Sequence, residues 1–326
     1  MAVLITGGLG YIGSHTAVEL ALAKERVVLL DNLSNSSNSV HGRVQELAGV
    51  GMPFYNLDVR DVGGVSGVIE REGVKIVIHF AGLKAVGESV EKPLAYYDNN
   101  VAGIIGLLEA CVKAGVEGFV FSSSATVYGG NAPFDEEDQT NAASPYGRTK
   151  LMAEYILRDL PSLPSTILRY FNPAGAHPSG LIGEAPRGIP NNLMPYICQV
   201  ASGKLEALRV FGSDYDTPDG SCIRDYIHVQ DLAYGHLLAI KNIGKSSCVY
   251  NLGTGQGTSV FEMIRAFENA TGISIPYTIT DRRAGDSPIA LAKTEKARKE
   301  LGFNAGFSIQ DMCRHSWNYE SKAKEF

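Results

Sequence analysis

Paired cysteines are missing from this chain. Its five cysteines (Cys111, Cys198, Cys222, Cys248 and Cys313) are scattered, odd in number and without a C-x-x-C pair. That argues against a disulfide framework or a cysteine zinc site, and for free thiols in a reducing, cytoplasmic compartment. The seven histidines show no ligand spacing, so no metal is expected, and His177 and His228 read as structural. Positive charge is also scarce: 29 Lys and Arg against 35 Asp and Glu leave a net charge of −6. A broad nucleic-acid surface needs clustered Lys and Arg, whereas an anionic small ligand needs only a few placed arginines. No apolar run approaches membrane-spanning length, and a strand beginning at Ala2 leaves no room for a signal peptide, so no membrane partner is expected. Repeats, low-complexity tails and long charge runs are absent. Asp135-Glu136-Glu137-Asp138 reads as a solvated turn. The N-x-S/T sequons at Asn32, Asn35 and Asn269 carry no weight in a cytoplasmic chain.

What is present is an ordinary globular composition, 44% hydrophobic and 20% charged over 326 residues, enough for one large core or two modest domains. Val3-Leu4-Ile5 is apolar without alternation, as a buried parallel strand is. A glycine turn follows, then a helix through Ser14–Ala23 and a second apolar strand at Val27–Leu30 ending in Asp31. Further strands are expected at Pro53–Leu57, Ile76–Phe80, Gly118–Ser122 and Ser165–Tyr170. Helical stretches separate them, most clearly Asn99–Ala114, where Ile104, Leu107, Leu108 and Cys111 follow helical spacing. This alternation predicts an α/β fold, a doubly wound parallel sheet with right-handed crossovers. After Asn172 the texture changes to Gly, Pro and Asn with short, irregular strands, and a second, smaller α/β domain is expected there. Ile227–Ile240 and Val249–Leu252 read as a helix and strand returning to the sheet.

Gly7, Gly10 and Gly13 form G-x-x-G-x-x-G. The spacing alone is weak, but a strand precedes it, a helix follows, and Asp31 ends the next strand at about the ~20-residue distance of a Rossmann-type dinucleotide site. Glycines there let a pyrophosphate rest on backbone N–H groups at a helix N-terminus. Asp31 suits the hydroxyls of an adenosine ribose and repels a 2′-phosphate. No Arg or Lys follows along the chain until Arg43, so NAD is expected rather than NADP. Asp58, after the third strand, suits the adenine amino group.

The second constellation is Tyr146 and Lys150, downstream of Ser122-Ser123-Ser124. Ser144 can cap a helix with Pro145 at its first position, which puts Tyr146 in the first turn and Lys150 on the same face. A phenol with a pKa of about 10 needs ~4 kcal/mol of help to act as a base near pH 7. One positive charge about 5 Å away, at an effective dielectric of ~20, supplies about 3 kcal/mol. Lys150 and an oxidised nicotinamide are expected to supply the shift jointly. The three serines, at a strand end beside the cofactor, can hydrogen-bond a reacting hydroxyl or keto oxygen. Together the two motifs describe a redox enzyme.

These residues resemble the extended short-chain dehydrogenase/reductases, and within them the UDP-galactose 4-epimerase family. The resemblance runs nearly end to end through Phe80–Ser89, Phe121–Gly129, Ser144–Gly147, Arg169–Pro173, Asn191–Tyr196 and Arg224–Val229. It implies that Ser124 and Tyr146 contact the reacting sugar hydroxyl and that Lys150 binds the nicotinamide ribose. It implies an NAD site completed by Tyr11, Ile12, Asn32, Asn35, Val59, Phe80, Ala81, Gly82, Lys84, Asn99, Ser122, Tyr170 and Phe171. Asn172, Asn192, Leu193, Phe211, Arg224, Arg283 and Asp286, with Lys84, would hold the UDP-sugar. Arg224 and Arg283 suit a diphosphate, whose oxygens match guanidinium forks.

The implied architecture is an NAD-binding domain of residues 1–172, rejoined by 224–252, and a UDP-sugar domain of 173–223 and 253–326. A homodimer through Asn99–Ala114 and the Tyr146 helix is implied as well. In related dehydratases and decarboxylases, acidic residues replace Ala125, Thr126 or their neighbour. Ala and Thr cannot do that work, so epimerisation is the implied reaction, here of UDP-glucose and UDP-galactose. Within the stretch 282–290, Ala290 falls where the family borders the sugar's C2 side. Its small side chain implies room for a 2-acetamido group, and so for UDP-N-acetylglucosamine and UDP-N-acetylgalactosamine.

Overall fold

A computed structural model describes residues 1–244, 247–283 and 286–322. Its strands are β1 (Ala2–Thr6), β2 (Arg26–Asp31), β3 (Phe54–Asn56), β4 (Ile76–His79), β5 (Gly118–Ser124), β6 (Ser165–Tyr170), β7 (Asn172–Ala174), β8 (Leu208–Phe211), β9 (Ile223–His228), β10 (Cys248–Leu252), β11 (Gly257–Ser259), β12 (Tyr277–Thr280) and β13 (Ile289–Ala290). Helices α1 (Tyr11–Leu22), α2 (Ser39–Ala48), α3 (Val62–Glu72), α4 (Val86–Glu91), α5 (Pro93–Tyr97) and α6 (Gly103–Lys113) alternate with the first strands. They are followed by α7 (Pro145–Arg158), α8 (Leu193–Ala201), α9 (Val229–Lys241), α10 (Val260–Thr271) and α11 (Ile309–Lys322).

Seven parallel strands form the main sheet in the order β10-β6-β5-β4-β1-β2-β3. The chain reverses direction across the sheet at β1 and β4, the switch point where doubly wound folds open a ligand crevice at the carboxyl ends of the strands. Successive side chains of β1 go to opposite faces. Val3 and Ile5 pack with Val18 and Leu20 of α1 and Leu232 of α9. Leu4 joins Ile69 of α3, the Ile104, Leu107, Leu108 and Cys111 stripe of α6, and Leu157 of α7. Both faces are therefore covered, which explains why the strands read as unbroken apolar runs.

Two expectations change here. Residues 224–228 do not rejoin the main sheet: β9 pairs with β7, β11 and β13 in a separate small sheet, and the return begins with α9 and β10. No strand was expected over 223–228, where Arg224 and Asp225 interrupt the apolar residues. The acidic run is only partly solvated. Glu136 is buried, its carboxylate accepts the Asn251 N–H at 2.7 Å, and burial raises its pKa. A second small sheet pairs β8 with β12, and α8, α10 and α11 pack around it. No helix among the described residues is long and apolar enough to cross a membrane.

Candidate active site

The carboxyl ends of β1 to β6 gather the expected cofactor residues along one edge of the sheet. Between β1 and α1, Gly7 takes φ +69°, a left-handed conformation, and a Cβ there would lie 2.7 Å from the Ala81 nitrogen. A Cβ on Gly13 would lie 2.2 Å from the Gly7 oxygen, so neither position has space for a side chain. The turn closes with Gly10 N–H donating to Gly7 O at 3.1 Å and Ser14 N–H to Gly10 O at 2.9 Å, opening α1 toward the crevice. This backbone cradle fits a pyrophosphate. Ile12 is half-buried and packs toward the core, and the Tyr11 hydroxyl donates to Gly175 O at 2.7 Å.

Asp31, at the end of β2, is a buried hub. One carboxylate oxygen accepts Leu9 N–H (3.1 Å); the other accepts Leu33 N–H (2.8 Å) and the Ser36 hydroxyl (2.8 Å). It thereby fixes the glycine turn against the loop that carries Asn32 and Asn35. Asp58, after β3, accepts from Asn32 Nδ2 at 2.8 Å and from Arg60 at 2.9 Å; the Arg60 guanidinium holds its carboxyl well below the usual range. The side chain of Val59 packs into the core below, which leaves its backbone to face the crevice. Cations at this end are absent only along the chain. Arg60 lies beside Asn32's partner Asp58, and Arg187 reaches over the loop to the carbonyls of Ser34 (2.7 Å) and Ser36 (3.0 Å). Basic residues therefore stand near this end of the sheet in space, although none follows Asp31 along the chain until Arg43.

Phe80, Ala81 and Gly82 follow β4, and Lys84 precedes α4. Asn99 lies in the wide turn Asp98–Ala102 that leads into α6, its Nδ2 donating to Asn100 Oδ1 at 3.0 Å. Tyr170 ends β6 with its hydroxyl bonded to His236 in the interior, and Phe171 and Asn172 come next.

Local rules set the catalytic edge. Ser144 caps α7, its hydroxyl accepting Gly147 N–H at 3.1 Å, with Pro145 at the first position. Tyr146 and Lys150 then lie on one face, with the Lys150 nitrogen 5.9 Å from the Tyr146 ring centre. Strand β5 runs two residues beyond its expected end, and the three serines part ways. Ser122 gives its carbonyl to Lys150 Nζ at 2.7 Å. Ser123 turns into the core and donates to Glu154 Oε1 at 2.5 Å, so it takes no part in contacting a substrate. Ser124 accepts from Thr126 N–H (3.2 Å) and the Thr126 hydroxyl (3.0 Å), which leaves its own hydrogen to donate toward the Tyr146 phenol.

The electrostatics add a further cation to the one expected from Lys150. Burial pushes the Tyr146 phenol up, opposed by the Ser124 hydroxyl and the positive charge of Lys84. Burial also lowers Lys150 to about 8, against the nearby Glu154. Lys150 donates to the Ser122 carbonyl while standing close to the Tyr146 ring, and Lys84, from the loop after β4, adds a second positive charge that opposes the rise of the phenol.

Across the crevice, Asn192 immediately precedes α8, without a side-chain capping bond, and Leu193 begins the helix. Arg283 lies over the Phe211 ring at 5.6 Å and pairs with Asp286 at 2.9 Å; Arg224 Nη2 stands 3.9 Å from Asp286. Ala290 is paired in register with Arg224 and packs on the cluster that holds Phe171. Phe211, Arg224, Arg283, Asp286 and Ala290 therefore converge, from segments remote in the chain. Ala284 and Gly285, inside the expected 282–290 stretch, lie outside the described residues.

Residues 3–253 match the NAD dependent epimerase/dehydratase family. The chain belongs to that family. It is 54% identical to the UDP-glucose 4-epimerase of Bacillus subtilis (strain 168), over 98% of this chain and 97% of that one. A solved UDP-glucose-4-epimerase from Stenotrophomonas maltophila, with bound NAD and formylated UDP-arabinopyranose, superposes with a TM-score of 0.98 at 48% identity, covering 100% of this chain and 99% of that one. The Bifidobacterium longum UDP-glucose 4-epimerase, in complex with NAD+ and UDP, gives 0.96 at 49% identity, covering 99% of each.

Two supports of this epimerase/dehydratase site escaped the sequence reading. Asn100 is buried, accepts Leu83 N–H at 2.8 Å, and donates to Leu83 O at 2.9 Å and to Thr149 at 3.1 Å, fixing the β4 loop to α7. Glu154, one turn beyond Lys150, is fully buried against Arg169, with bonds of 2.6 and 3.0 Å. An Asn facing the core of an apolar helix and a Glu in helical step with Lys150 were the available signals.

Proposed function

We propose that the protein interconverts UDP-glucose and UDP-galactose by oxidising the sugar at C4 and reducing it again from the opposite face. The observation that carries this reading is the meeting of Tyr146 and Ser124 at the end of β5, beside the glycine cradle, with Ala125 and Thr126 next in the chain. Gly7–Gly13, Asp31 and the β4 loop would hold NAD, which would supply reversible hydride chemistry at C4. Tyr146 accepts the proton of the C4 hydroxyl as the C4 ketone forms and returns it to the same oxygen afterwards. Ser124 donates its hydrogen to that oxygen. Elimination or loss of CO₂ would call for a carboxylic acid or base next to Ser124, and Ala125 and Thr126 provide none.

Inversion requires the keto sugar to present its other face between the two steps. Arg224 and Arg283 exchange Asp286 for the diphosphate and hold it while the ring turns; Asn172, Asn192, Leu193 and Phe211 complete that side. Ala290, the smallest side chain short of glycine, leaves its side of the ring open. This supports a second pair of substrates, UDP-N-acetylglucosamine and UDP-N-acetylgalactosamine. The main sheet with α9 and β10 is the NAD part of the molecule, and the small sheets with α8, α10 and α11 are the UDP-sugar part. Exposed apolar side chains on the helices behind the site, Val90, Leu94, Ile105, Val112, Met152 and Tyr155, support a homodimer built on α4 to α7. None of its five cysteines is in a disulfide, which fits a cytoplasmic location.

The test is to purify the protein without added cofactor, release its ligand with acid and incubate a second portion with UDP-galactose. Recovered NAD together with formation of UDP-glucose is the expected outcome. NADP in place of NAD would refute the role of Asp31, and untouched UDP-galactose would refute the reaction.

A further inference from the structure

Glu184 belongs to neither motif and lies 100 residues from Lys84 in the chain, yet its Oε1 accepts a hydrogen bond from Lys84 Nζ at 2.9 Å. The same oxygen accepts Asn192 Nδ2 at 2.8 Å. The carboxylate is largely enclosed, with a side-chain exposure of 10%, while Lys84 keeps 55% of its side chain exposed. One anion thus joins a cation that acts on Tyr146 to Asn192, just before α8 on the sugar-nucleotide side. We propose that Glu184 is a positioning residue for proton transfer: it holds the Lys84 ammonium in place, tempers its charge, and ties it to Asn192. This rests on the epimerase reading above.

The surrounding groups leave few other titrations to confuse the effect. Tyr96 and Tyr170, which sense Tyr146, are raised by burial and stay neutral. Tyr11 and Cys198, which sense Glu184, are raised by burial as well. Lys150, lowered to about 8, is the other nearby group that can titrate in the working range. Burial holds the Tyr146 phenol up and Lys84 opposes it, so the anion paired with Lys84 sets how much help the phenol receives.

The test is the pH profile of turnover of UDP-galactose by the NAD-loaded enzyme in four forms: wild type, Glu184→Gln, Lys84→Met and the double variant. Glutamine keeps an acceptor oxygen for Lys84 and Asn192 and removes the negative charge. The acid limb in Glu184→Gln should therefore move to lower pH by about half a unit or more, and in Lys84→Met to higher pH. In the double variant the profile should coincide with that of Lys84→Met, because Glu184 acts through the lysine. An unmoved limb in Glu184→Gln, or the same downward shift with and without Lys84, would overturn the proposal. If Glu184→Gln turns over too slowly to profile, the phenolate absorbance titration reads the same shift directly, taken as the difference between this variant and its Tyr146→Phe derivative. Wild-type protein that leaves UDP-galactose unchanged would refute the reaction itself and is read separately.

Discussion

On one side of the crevice, Tyr146 and Lys150 ride a helix pinned through Glu154 to Arg169, whose side chains are 0% and 1% exposed. On the other side, Arg283 and Asp286 pair three residues apart with side chains 52% and 17% exposed. The two ion pairs look alike in a distance table and differ in physics. Removing one partner of the buried pair strands a charge in the interior, at a cost of roughly 3–5 kcal/mol. The exposed pair contributes about 0–1 kcal/mol, so it can be given up when a ligand arrives. Proton transfer needs a base fixed before the substrate binds, and reception of a diphosphate needs cations that can change partner. The molecule places a rigid ion pair behind the first task and a labile one at the second.

The largest effect should come from the rigid side. Tyr146→Phe should retain NAD and UDP-sugar while turnover falls ~10²–10⁴-fold, the loss expected of a missing general acid–base. Steady-state rates with ligand-binding measurements check this, and near-normal turnover would remove Tyr146 from its role.

Stability separates the two ion pairs next. Glu154→Ala should lower the unfolding free energy by about 3–5 kcal/mol, whereas Arg283→Ala should lower it by less than ~1 kcal/mol. Denaturant unfolding of the cofactor-free protein measures both. Equal losses would break the comparison.

Acid should weaken the cofactor side. Burial lowers His15 and His79 to about 3. The unfolded chain binds these protons near pH 6.5 and the native state refuses them, so stability is full above about 6.5 and is lost progressively as pH falls toward 3. Denaturant midpoints at pH 7, 5 and 4 should fall in that order; a midpoint constant down to pH 4 would contradict buried neutral imidazoles.

The smallest change tests the labile side. Ala290→Tyr should abolish conversion of UDP-N-acetylglucosamine and spare UDP-galactose. Overpacking a formed pocket costs on the order of 1–3 kcal/mol, or about ten- to hundredfold in rate. Wild-type protein inert toward UDP-N-acetylglucosamine while it equilibrates UDP-galactose would remove the extension.

The rigid side was also the legible one. The glycine turn, Asp31, and the Ser144-Pro145-Tyr146 start with Lys150 one turn on are short-range patterns whose geometry follows from helix and turn rules. The apolar runs gave the sheet because strands covered on both faces carry no alternation. Lys84, Glu184 and Asn192 meet only through tertiary folding, and so do Glu154 and Arg169; spacing puts Glu154 in step with Lys150 but announces neither its partner nor the Glu184 cluster. Strand β9 was not legible, because Arg224 and Asp225 interrupt its apolar residues, and neither was its sheet. The sugar-nucleotide residues were reached through family resemblance alone, because short strands and exposed arginines carry no periodic signal.

Turnover of UDP-galactose carrying deuterium at C4, in ordinary water and without added NAD, tests the central claim most directly. The expected product is UDP-glucose that keeps the deuterium at C4, because the hydrogen leaves and returns with its electron pair while Tyr146 moves only the hydroxyl proton. UDP-glucose that has exchanged its C4 deuterium for solvent hydrogen would contradict that division of labour.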